Sequence, residues 1–506
     1  MPAVPRRIST GVSGLDKILG GGFIDNRMYL VEGGPGAGKT TLALQFLLNG
    51  RAEGERGLYV TLSETADELH VVAESHGWSL DGIEMFELES AEQMLDPANT
   101  TTLLHPWEVE LGETVRLILE QVERVKPSRV VFDSLSELRL LAQDPLRYRR
   151  QILAVKQYFN RRSMTLLMLD DYAPVRIEGS QQLHSLCHGV ISLERKSRQY
   201  GATRRRLEVM KSRAAAFHEG WHDFDITRGG IEVYPRLVAS DHYTAFNATH
   251  LSSGVPELDA MLNGGPMRGT NVLISGPSGA GKTTMALQYV AAAAARGERC
   301  AIYEFDERAG TVLARAAACG ISIDQHLEGG NALLRQIDPA EVAPGAFAAM
   351  VRAAVDAGVR VVVIDSLNGY LTSMPQEDQL LLQVHELLFY LAQKGVTTFL
   401  INPQEGVIGA MSTAQTVSYV ADTVFLLRFF EAGGHIRKAI AVVKNRGGPH
   451  ENTIREMSIG QGGVRLGPPL MQFEGVMTGT PTYIGRDNPW LADEPAGAVA
   501  APGVSA

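Results

Sequence analysis

Two glycine-rich segments of this chain have the residue types and the spacing of phosphate-binding loops. They are residues 33–40, with the sequence GGPGAGKT, and residues 276–283, with the sequence GPSGAGKT. Glycines let backbone N–H groups wrap a phosphate, and a helix that starts at the loop adds the positive end of its dipole. The lysine of such a loop neutralises the terminal phosphates, and the hydroxyl after it binds Mg²⁺. The sequence therefore predicts two P-loops for ATP and Mg²⁺.

Each P-loop follows an apolar run and precedes a helical pattern, which is the setting that the motif requires. A glycine-rich turn without a ligand is not expected to occur twice in that setting. The residues expected to bind ATP are Gly33, Gly34, Gly36, Gly38, Lys39, Thr40 and Thr41 in the first segment, and Gly276, Gly279, Gly281, Lys282, Thr283 and Thr284 in the second.

Two further acidic residues are candidates for the metal. Asp133 and Asp365 each end a run of β-branched or aromatic residues, as expected at the carboxyl end of a central strand. Together with Thr40 and Thr283, they would hold Mg²⁺, partly through water. The alternative is an ordinary Asp-Ser cap at the end of a strand.

Hydrolysis also needs a base that orients the attacking oxygen. The candidates follow the second predicted strand of each half: Glu64 in the first, and the pair Asp306 and Glu307 in the second. A carboxylate at this place could be a solvated loop charge, but its recurrence in both halves favours a catalytic role.

The two P-loops belong to an internal repeat. Lys39 and Lys282 are 282 − 39 = 243 residues apart, and the same offset relates Glu64 to Glu307. Self-similarity of this kind indicates a duplicated domain. We predict a first domain at residues 1–238, a second at 242–473, and a C-terminal loop and tail at 474–506. The tail is rich in Gly, Pro and Ala, so we expect disorder from about residue 493.

Strands and helices alternate in each half. Apolar runs at residues 28–31, 57–61, 129–132 and 165–169 indicate buried strands of a parallel sheet. A helical pattern over residues 113–126 places its apolar side chains on one face, and Pro127 ends it. The alternation predicts an α/β fold, with a mostly parallel sheet flanked by helices in each half.

The composition is that of a large globular protein, with 506 residues of which 45% are hydrophobic and 21% charged. The formal charge of −10 argues against a protein held on nucleic acid by a broad basic field. The 3 cysteines lack a CxxC spacing, which favours a reducing cytosol. No run of about 18 apolar residues occurs, so we expect a cytoplasmic protein without membrane contact.

With these motifs in place, the sequence resembles the KaiC family of double-domain RecA-like ATPases, to about residue 483. Besides the P-loops, the resemblance rests on residues 9–16 (STGVSGLD), 252–259 (SSGVPELD) and 224–235 (FDITRGGIEVYP). It implies two tandem RecA-like domains and an ATP-dependent homohexamer of two stacked rings, with nucleotide between subunits. It also implies a slow ATPase in the first ring and, as in the clock members, an autokinase and autophosphatase in the second.

The paired catalytic carboxylates of that family fall on Ser63 and Glu64 in the first domain and on Asp306 and Glu307 in the second. Ser63 departs from the pattern. Since a neutral hydroxyl is no base at neutral pH, Glu64 is left as the one base of the first ring.

The resemblance also implies cationic groups that act across the subunit interface. Family members use a Lys-x-Arg pair, which Lys211 with Arg213 and Lys444 with Arg446 match. Cations supplied in trans stabilise charge on the transferred phosphoryl group, so activity would depend on assembly. The alternative is a solvated, charged strand end.

Clock members carry a Ser-Thr acceptor pair, and the matching stretch here is residues 417–423 (VSYVADT). Ser418 keeps a hydroxyl, whereas Tyr419 replaces the threonine, so one phosphoacceptor, Ser418, is expected rather than two. Thr413 and Thr416 are nearby alternatives, and an interface strand without phosphorylation is another.

The partners implied are further copies of the chain and a KaiB-like or other signalling protein. The residues after 483 turn acidic and rich in Ala and Pro, so regulation by KaiA is not expected. Two other functions stay open. One is a RecA-like DNA-dependent ATPase of the recombinase or helicase type, which the basic residues of the 195–206 segment would support. The other is a nucleotide-gated scaffold with weak turnover.

Overall fold

The structure is a computed structural model that describes residues 5–87, 106–142, 144–171, 180–198, 200–213, 215–372, 380–404, 419–478 and 481–485. The chain divides into two compact units, one of residues 1–236 and 343–349, and one of residues 237–342 and 350–506. The domain bounds given above stay predictions. Ser418, its alternatives Thr413 and Thr416, and the tail from residue 486 lie outside the described residues.

The first unit is an α/β domain built on one large sheet. Its strands are β1 (Arg7–Ile8), β2 (Phe23–Ile24), β3 (Met28–Gly33), β4 (Gly57–Thr61), β5 (Ile83–Glu87), β6 (Arg129–Asp133), β7 (Thr165–Asp171), β8 (Gly189–Lys196), β9 (Arg204–Ser212), β10 (Trp221–Thr227) and β11 (Gly230–Tyr234). Its helices are α1 (Ser13–Ile18), α2 (Lys39–Ala52), α3 (Ala66–Ser75), α4 (Pro106–Val125), α5 (Leu135–Ala142), α6 (Pro145–Asn160) and α7 (Ser180–Leu186). The order in the 9-stranded sheet is β11-β10-β9-β8-β3-β7-β6-β4-β5.

The second unit repeats this plan. Its strands are β12 (Asn271–Gly276), β13 (Arg299–Glu304), β14 (Ala332–Gln336), β15 (Val359–Asp365), β16 (Thr397–Pro403), β17 (Thr423–Ala432), β18 (His435–Asn445), β19 (Arg455–Gly460), β20 (Gly463–Pro469), β21 (Phe473–Glu474) and β22 (Thr482–Tyr483). The helices of this part of the chain are α8 (Pro256–Ala260), α9 (Lys282–Ala295), α10 (Ala309–Ala318), α11 (Asp324–Glu328), α12 (Pro344–Asp356), α13 (Leu367–Thr372) and α14 (Leu380–Gln393). The order in the second sheet is β14-β13-β15-β16-β12-β17-β18-β19-β20. Read from its other edge, beginning at β20, it matches the first sheet strand for strand.

Both sheets are parallel around the P-loop strand and antiparallel at one edge. In the first unit β3 lies between β7 and β8 and is parallel to both, while β8 to β11 pair in antiparallel fashion. Met28 and Leu30 join one apolar cluster, and Tyr29 and Val31 join another, so alternate side chains of β3 are buried on opposite faces. The central strand is therefore covered by helices on both sides, and its carboxyl end carries the P-loop.

The structure confirms the predicted fold class. The strands predicted at residues 28–31, 129–132 and 165–169 are each extended by one or two residues at the carboxyl end, and the strand at 57–61 is as predicted. The helix predicted to start at residue 113 starts at Pro106 and buries Val115, Ile118 and Val122. In the described part of the chain, no helix is both long and apolar enough to cross a membrane.

Candidate functional site

The first P-loop joins β3 to α2, and a left-handed glycine makes the turn into the helix. Gly38 has φ +106°, a conformation that favours glycine, and α2 begins at the next residue, Lys39. Lys39 is buried, and its Nζ donates hydrogen bonds to the carbonyl oxygens of Gly33 at 2.8 Å and Gly34 at 3.2 Å. The same Nζ lies 2.8 Å from Oδ1 of Asp171, at the end of β7. The lysine thus sits inside the loop, where the motif requires it.

The structure brings the two predicted metal ligands of the first unit together. Thr40 Oγ1 donates to Asp133 Oδ2 at 3.4 Å, and Tyr59 Oη donates to the same oxygen at 2.5 Å. Asp133 is buried at the end of β6, which pairs with β4, the strand that carries Tyr59. Burial raises the pKa of Asp133, and the hydrogen bond from Tyr59 and the charge of Lys39 oppose this shift.

Glu64 lies between β4 and α3, at the edge of the same site. The Thr61 hydroxyl fixes this turn, since it accepts from the Glu64 N–H at 3.1 Å and donates to the Glu64 carbonyl at 2.6 Å. Partial burial raises the pKa of Glu64, and the negative charge of Asp133 raises it further. Oε2 of Glu64 is buried without a hydrogen-bond partner among the described residues. This oxygen is available to a water molecule or to a ligand. Ser63, beside it, is exposed.

In the second unit the predicted residues converge on one cavity of about 210 Å³. Of the predicted site residues, those in its lining are Gly279, Gly281, Lys282, Thr283, Thr284, Asp306, Glu307 and Asp365. Lys282 Nζ donates to the Pro277 carbonyl at 2.8 Å. Thr283 Oγ1 donates to Asp365 Oδ2 at 2.5 Å, as Thr40 does to Asp133 in the first unit.

The two acidic candidates for the base have separate partners. Asp306 Oδ2 accepts from Ser366 Oγ at 2.5 Å, and Glu307 Oε1 accepts from Arg315 Nη1 at 2.9 Å. Arg315, on α10, also lines the cavity. Both carboxylates expected from the sequence lie in this lining, and Arg315 is an addition to the expected residues.

Negative charge is concentrated in the second site. Glu304 ends β13 and pairs in register with Asp365 at the end of β15. Burial, followed by the charges of Asp365 and Glu307, raises the pKa of Glu304 to about 9. Burial also raises the pKa of Asp365 to about 6, an effect that the hydrogen bond from Thr283 opposes. Burial lowers the pKa of Lys282.

The residues present fit a nucleotide with Mg²⁺. Each P-loop holds a buried lysine whose ammonium donates to loop carbonyls, and each pairs a threonine hydroxyl with an aspartate. Hydroxyl and carboxylate oxygens are the ligands that Mg²⁺ prefers. Burial, and to a smaller extent the charges of Glu307 and Asp306, raise the pKa of Asp365, and a bound divalent cation would favour its ionised form.

The predicted finger residues lie at the carboxyl end of the second antiparallel strand of each sheet, β9 and β18. Lys211, on β9, donates to the carbonyl oxygens of His184 and of Cys187, and Arg213 donates to the Ser185 carbonyl at 2.8 Å. These carbonyls belong to the end of α7 and the residue after it, where a helix favours positive charge.

The second unit has the same arrangement. Lys444, on β18, donates to the Ala421 carbonyl at 2.6 Å, and Arg446 Nη1 lies 3.9 Å from Asp422 Oδ1. In both units these hydrogen bonds hold the lysine against the main chain of its own unit. Their action on a neighbouring subunit stays a prediction.

The basic segment that would support a DNA-acting motor forms the β8–β9 hairpin. Arg206 pairs with Glu194 at 2.8 Å and lies over the Trp221 ring, while Arg204 is buried. Arg195 and Arg205 are cross-strand neighbours. Part of the basic segment is thus used within the fold. The phosphoacceptor Ser418 lies outside the described residues, and Tyr419, beside it, is exposed.

Four residues of the two sites were not found from the sequence: Tyr59, Asp171, Glu304 and Arg315. Each lies on a strand or helix that borders a predicted site residue only after the sheet has formed. One signal was present, because the 243-residue offset pairs Glu304 with Thr61 and Arg315 with Val72. These mismatches within the repeat mark positions where the two sites differ.

Comparisons with known proteins agree with this architecture. A family model described as the KaiC ATPase matches residues 8–238 and again residues 251–471. The circadian clock oscillator protein KaiC of Picosynechococcus sp. is 27% identical over 517 residues, covering 95% of this chain and 93% of the relative. The circadian clock protein KaiC3 of Synechocystis sp. is 26% identical, covering 94% and 95%. KaiC of Synechococcus elongatus is 27% identical, covering 95% and 93%.

The repeated match coincides with the structural repeat. Each matched region holds one P-loop, one threonine-aspartate pair and one sheet of the same strand order. The chain belongs to the KaiC family of ATPases.

Proposed function

We propose that both P-loops of this KaiC-family chain hydrolyse ATP, and that the second unit is also a serine autokinase. The observation that carries the proposal is the cavity of the second unit, where Lys282, Thr283, Asp306, Glu307 and Asp365 meet. A phosphate-binding lysine, a metal-binding pair and a candidate base in one cavity are the parts that phosphoryl transfer needs.

The residues of the chain would bind the nucleotide, orient the attacking oxygen and accept its proton. Lys39 and Lys282 bind the terminal phosphates, and the two threonine-aspartate pairs hold the metal. When bound, ATP supplies the phosphoanhydride bond to be cleaved, and Mg²⁺ neutralises its charge. Glu64 and Glu307 orient the attacking oxygen and accept its proton.

We further propose that the active state is an ATP-dependent homohexamer. The support is the family membership, together with the position of Lys211 on β9 and Lys444 on β18, near the carboxyl end of corresponding antiparallel strands. The resemblance to the family's Lys-x-Arg pairs implies that these lysines supply charge to a phosphate at a neighbouring subunit's site. Further partners would be a KaiB-like or another signalling protein in the cytoplasm, and neither KaiA nor nucleic acid is expected.

The autokinase step would place phosphate on Ser418. Its hydroxyl oxygen would bond to the γ-phosphorus as the bond to ADP breaks, and Glu307, aided by Asp306, would accept the hydroxyl proton. The support is the match of Ser418 in type and position to the family's acceptor pair.

Phosphosite mapping of the full chain after incubation with ATP and Mg²⁺ tests the autokinase. We expect phosphate on Ser418 and none on a Ser418→Ala chain. Mixing the Ser418→Ala chain with a Lys282→Ala chain should label the latter, because transfer would run between subunits. Absence of any phosphoresidue would refute the autokinase and leave the ATPase, and phosphate confined to other residues would refute Ser418 as the acceptor.

A further inference from the structure

Arg315 is a cation of the second site that lies on the same chain as the P-loop. It occupies α10 and lines the cavity together with Lys282, Thr283 and Asp365. Its Nη1 donates to Glu307 at 2.9 Å. Since Glu307 is the proposed base, the guanidinium lies one side chain away from the place where the terminal phosphate would react.

The hydrogen bonds of this guanidinium are incomplete. Nε and Nη2 of Arg315 are both buried, and neither has a hydrogen-bond partner among the described residues. A buried donor without an acceptor costs free energy, and more so when it is charged. An acceptor supplied by a ligand would remove this cost.

Among the carboxylates of the cavity, Asp306, Glu307 and Asp365, there are positive groups to which a phosphate could bind. The lining of the cavity contains two cationic side chains, Lys282 and Arg315. Lys282 is committed to the P-loop, where it bonds to the Pro277 carbonyl. Lys282 would bind the terminal phosphates from the P-loop, and Arg315 is the second cation of the lining that a γ-phosphate could meet.

The first unit lacks this group. Helices α3 and α10 occupy the same place in the repeat, and Val72 stands where Arg315 does, partly buried against the apolar core. Val72 carries no hydrogen-bond donor on its side chain, so it cannot bond to Glu64 as Arg315 bonds to Glu307. The two sites therefore differ in the charge that this helix brings to the carboxylate.

We propose that Arg315 recognises the γ-phosphate of ATP in the second site, so that this site discriminates ATP from ADP through a residue that the first site does not have. The inference rests on the proposed nucleotide site of the second unit. In this structure Glu307 accepts a hydrogen bond from the arginine at the cavity. In the nucleotide-bound chain, Arg315 donates to the phosphate, and Glu307 is released to act as base.

Equilibrium binding of the β,γ-imido analogue of ATP and of ADP, each with Mg²⁺, tests this role without turnover. The full chain would carry Lys39→Ala to impair the first site, so that the measured binding reports on the second site. Arg315→Met should raise the Kd of the ATP analogue about tenfold, the worth of a charge-assisted hydrogen bond, and leave the Kd of ADP within about twofold. Arg315→Lys should keep part of the discrimination.

Arg308→Met is the matched control, because Arg308 is exposed and lies outside the cavity lining. It removes the same charge and should leave both Kd values unchanged. Equal weakening of both nucleotides by Arg315→Met, or no change in their ratio, would overturn the role of Arg315. Failure of the Lys39→Ala chain itself to bind either nucleotide would overturn the proposed site, which separates the two claims.

Discussion

Lys39 of the first P-loop forms an ion pair with Asp171, with 2.8 Å between Nζ and Oδ1. Asp171 is the last residue of β7 and pairs in register with Gly33 of β3. In the second unit the same register position, opposite Gly276, is Pro403. The lysine of the first site is thus held by a carboxylate that the second site lacks.

Nucleotide binding at the first site must break this ion pair. Asp171→Asn should therefore tighten binding of ATP there, by about twofold to fivefold because Asp171 is half exposed and the pair is screened by water. The measurement is the Kd of the β,γ-imido analogue in a Lys282→Ala chain. A Kd that is unchanged or weaker would show that the carboxylate does not compete with the phosphate.

Assembly should depend on ATP, and more strongly on the first site. Binding to the assembled state alone stabilises that state by mass action. Native mass measurement of the full chain should show a hexamer with ATP, which Lys39→Ala weakens more than Lys282→Ala does. A monomer at saturating ATP would contradict the ring, and equal effects of the two variants would contradict the assignment of assembly to the first unit.

Glu304 should make the ligand-free chain less stable as pH rises. Its pKa is about 9 in the folded state, mainly because of burial, against 4.5 for an exposed glutamate. Between these values the folded chain holds a proton that the unfolded chain releases, so stability falls with rising pH. Glu304→Gln removes that dependence, and its melting temperature should exceed that of the unchanged chain by more at pH 8 than at pH 6.

Thr61→Ser is a matched control, because Thr61 occupies the Glu304 position of the first unit and does not titrate. We compare the melting temperatures of Glu304→Gln and the unchanged chain at pH 6 and pH 8. If the difference is the same at both pH values, the raised pKa is contradicted.

The raised pKa of Glu64 should appear in the activity of the first site. The base must be ionised, and burial together with the charge of Asp133 favours its protonated form. In a Glu307→Gln chain, kcat/KM should therefore fall on acidification at a pH above the 4.5 of an ordinary glutamate. A profile that is flat down to pH 4.5 would assign the base role to another group.

The fold could be predicted from the sequence because the repeat and the alternation of apolar runs with helices both reflect burial. The P-loops could also be predicted from the sequence, since residues 33–40 and 276–283 are each contiguous. The order of strands in the sheet was not, and it is this order that brings Asp171 to Lys39 and Tyr59 to Asp133. Residues that meet only across neighbouring strands leave no spacing in the sequence by which to find them.

Phosphate release from ATP by four full-length chains tests the central claim most directly: the unchanged chain, Glu64→Gln, Glu307→Gln and the double variant. Both P-loops and both metal-binding pairs are intact in all four. If each unit is an ATPase with its own base, each single variant should lose the turnover of one site, and the double variant should fall by about 100-fold or more, the usual worth of a general base. Turnover in the double variant equal to that of the unchanged chain would contradict the account.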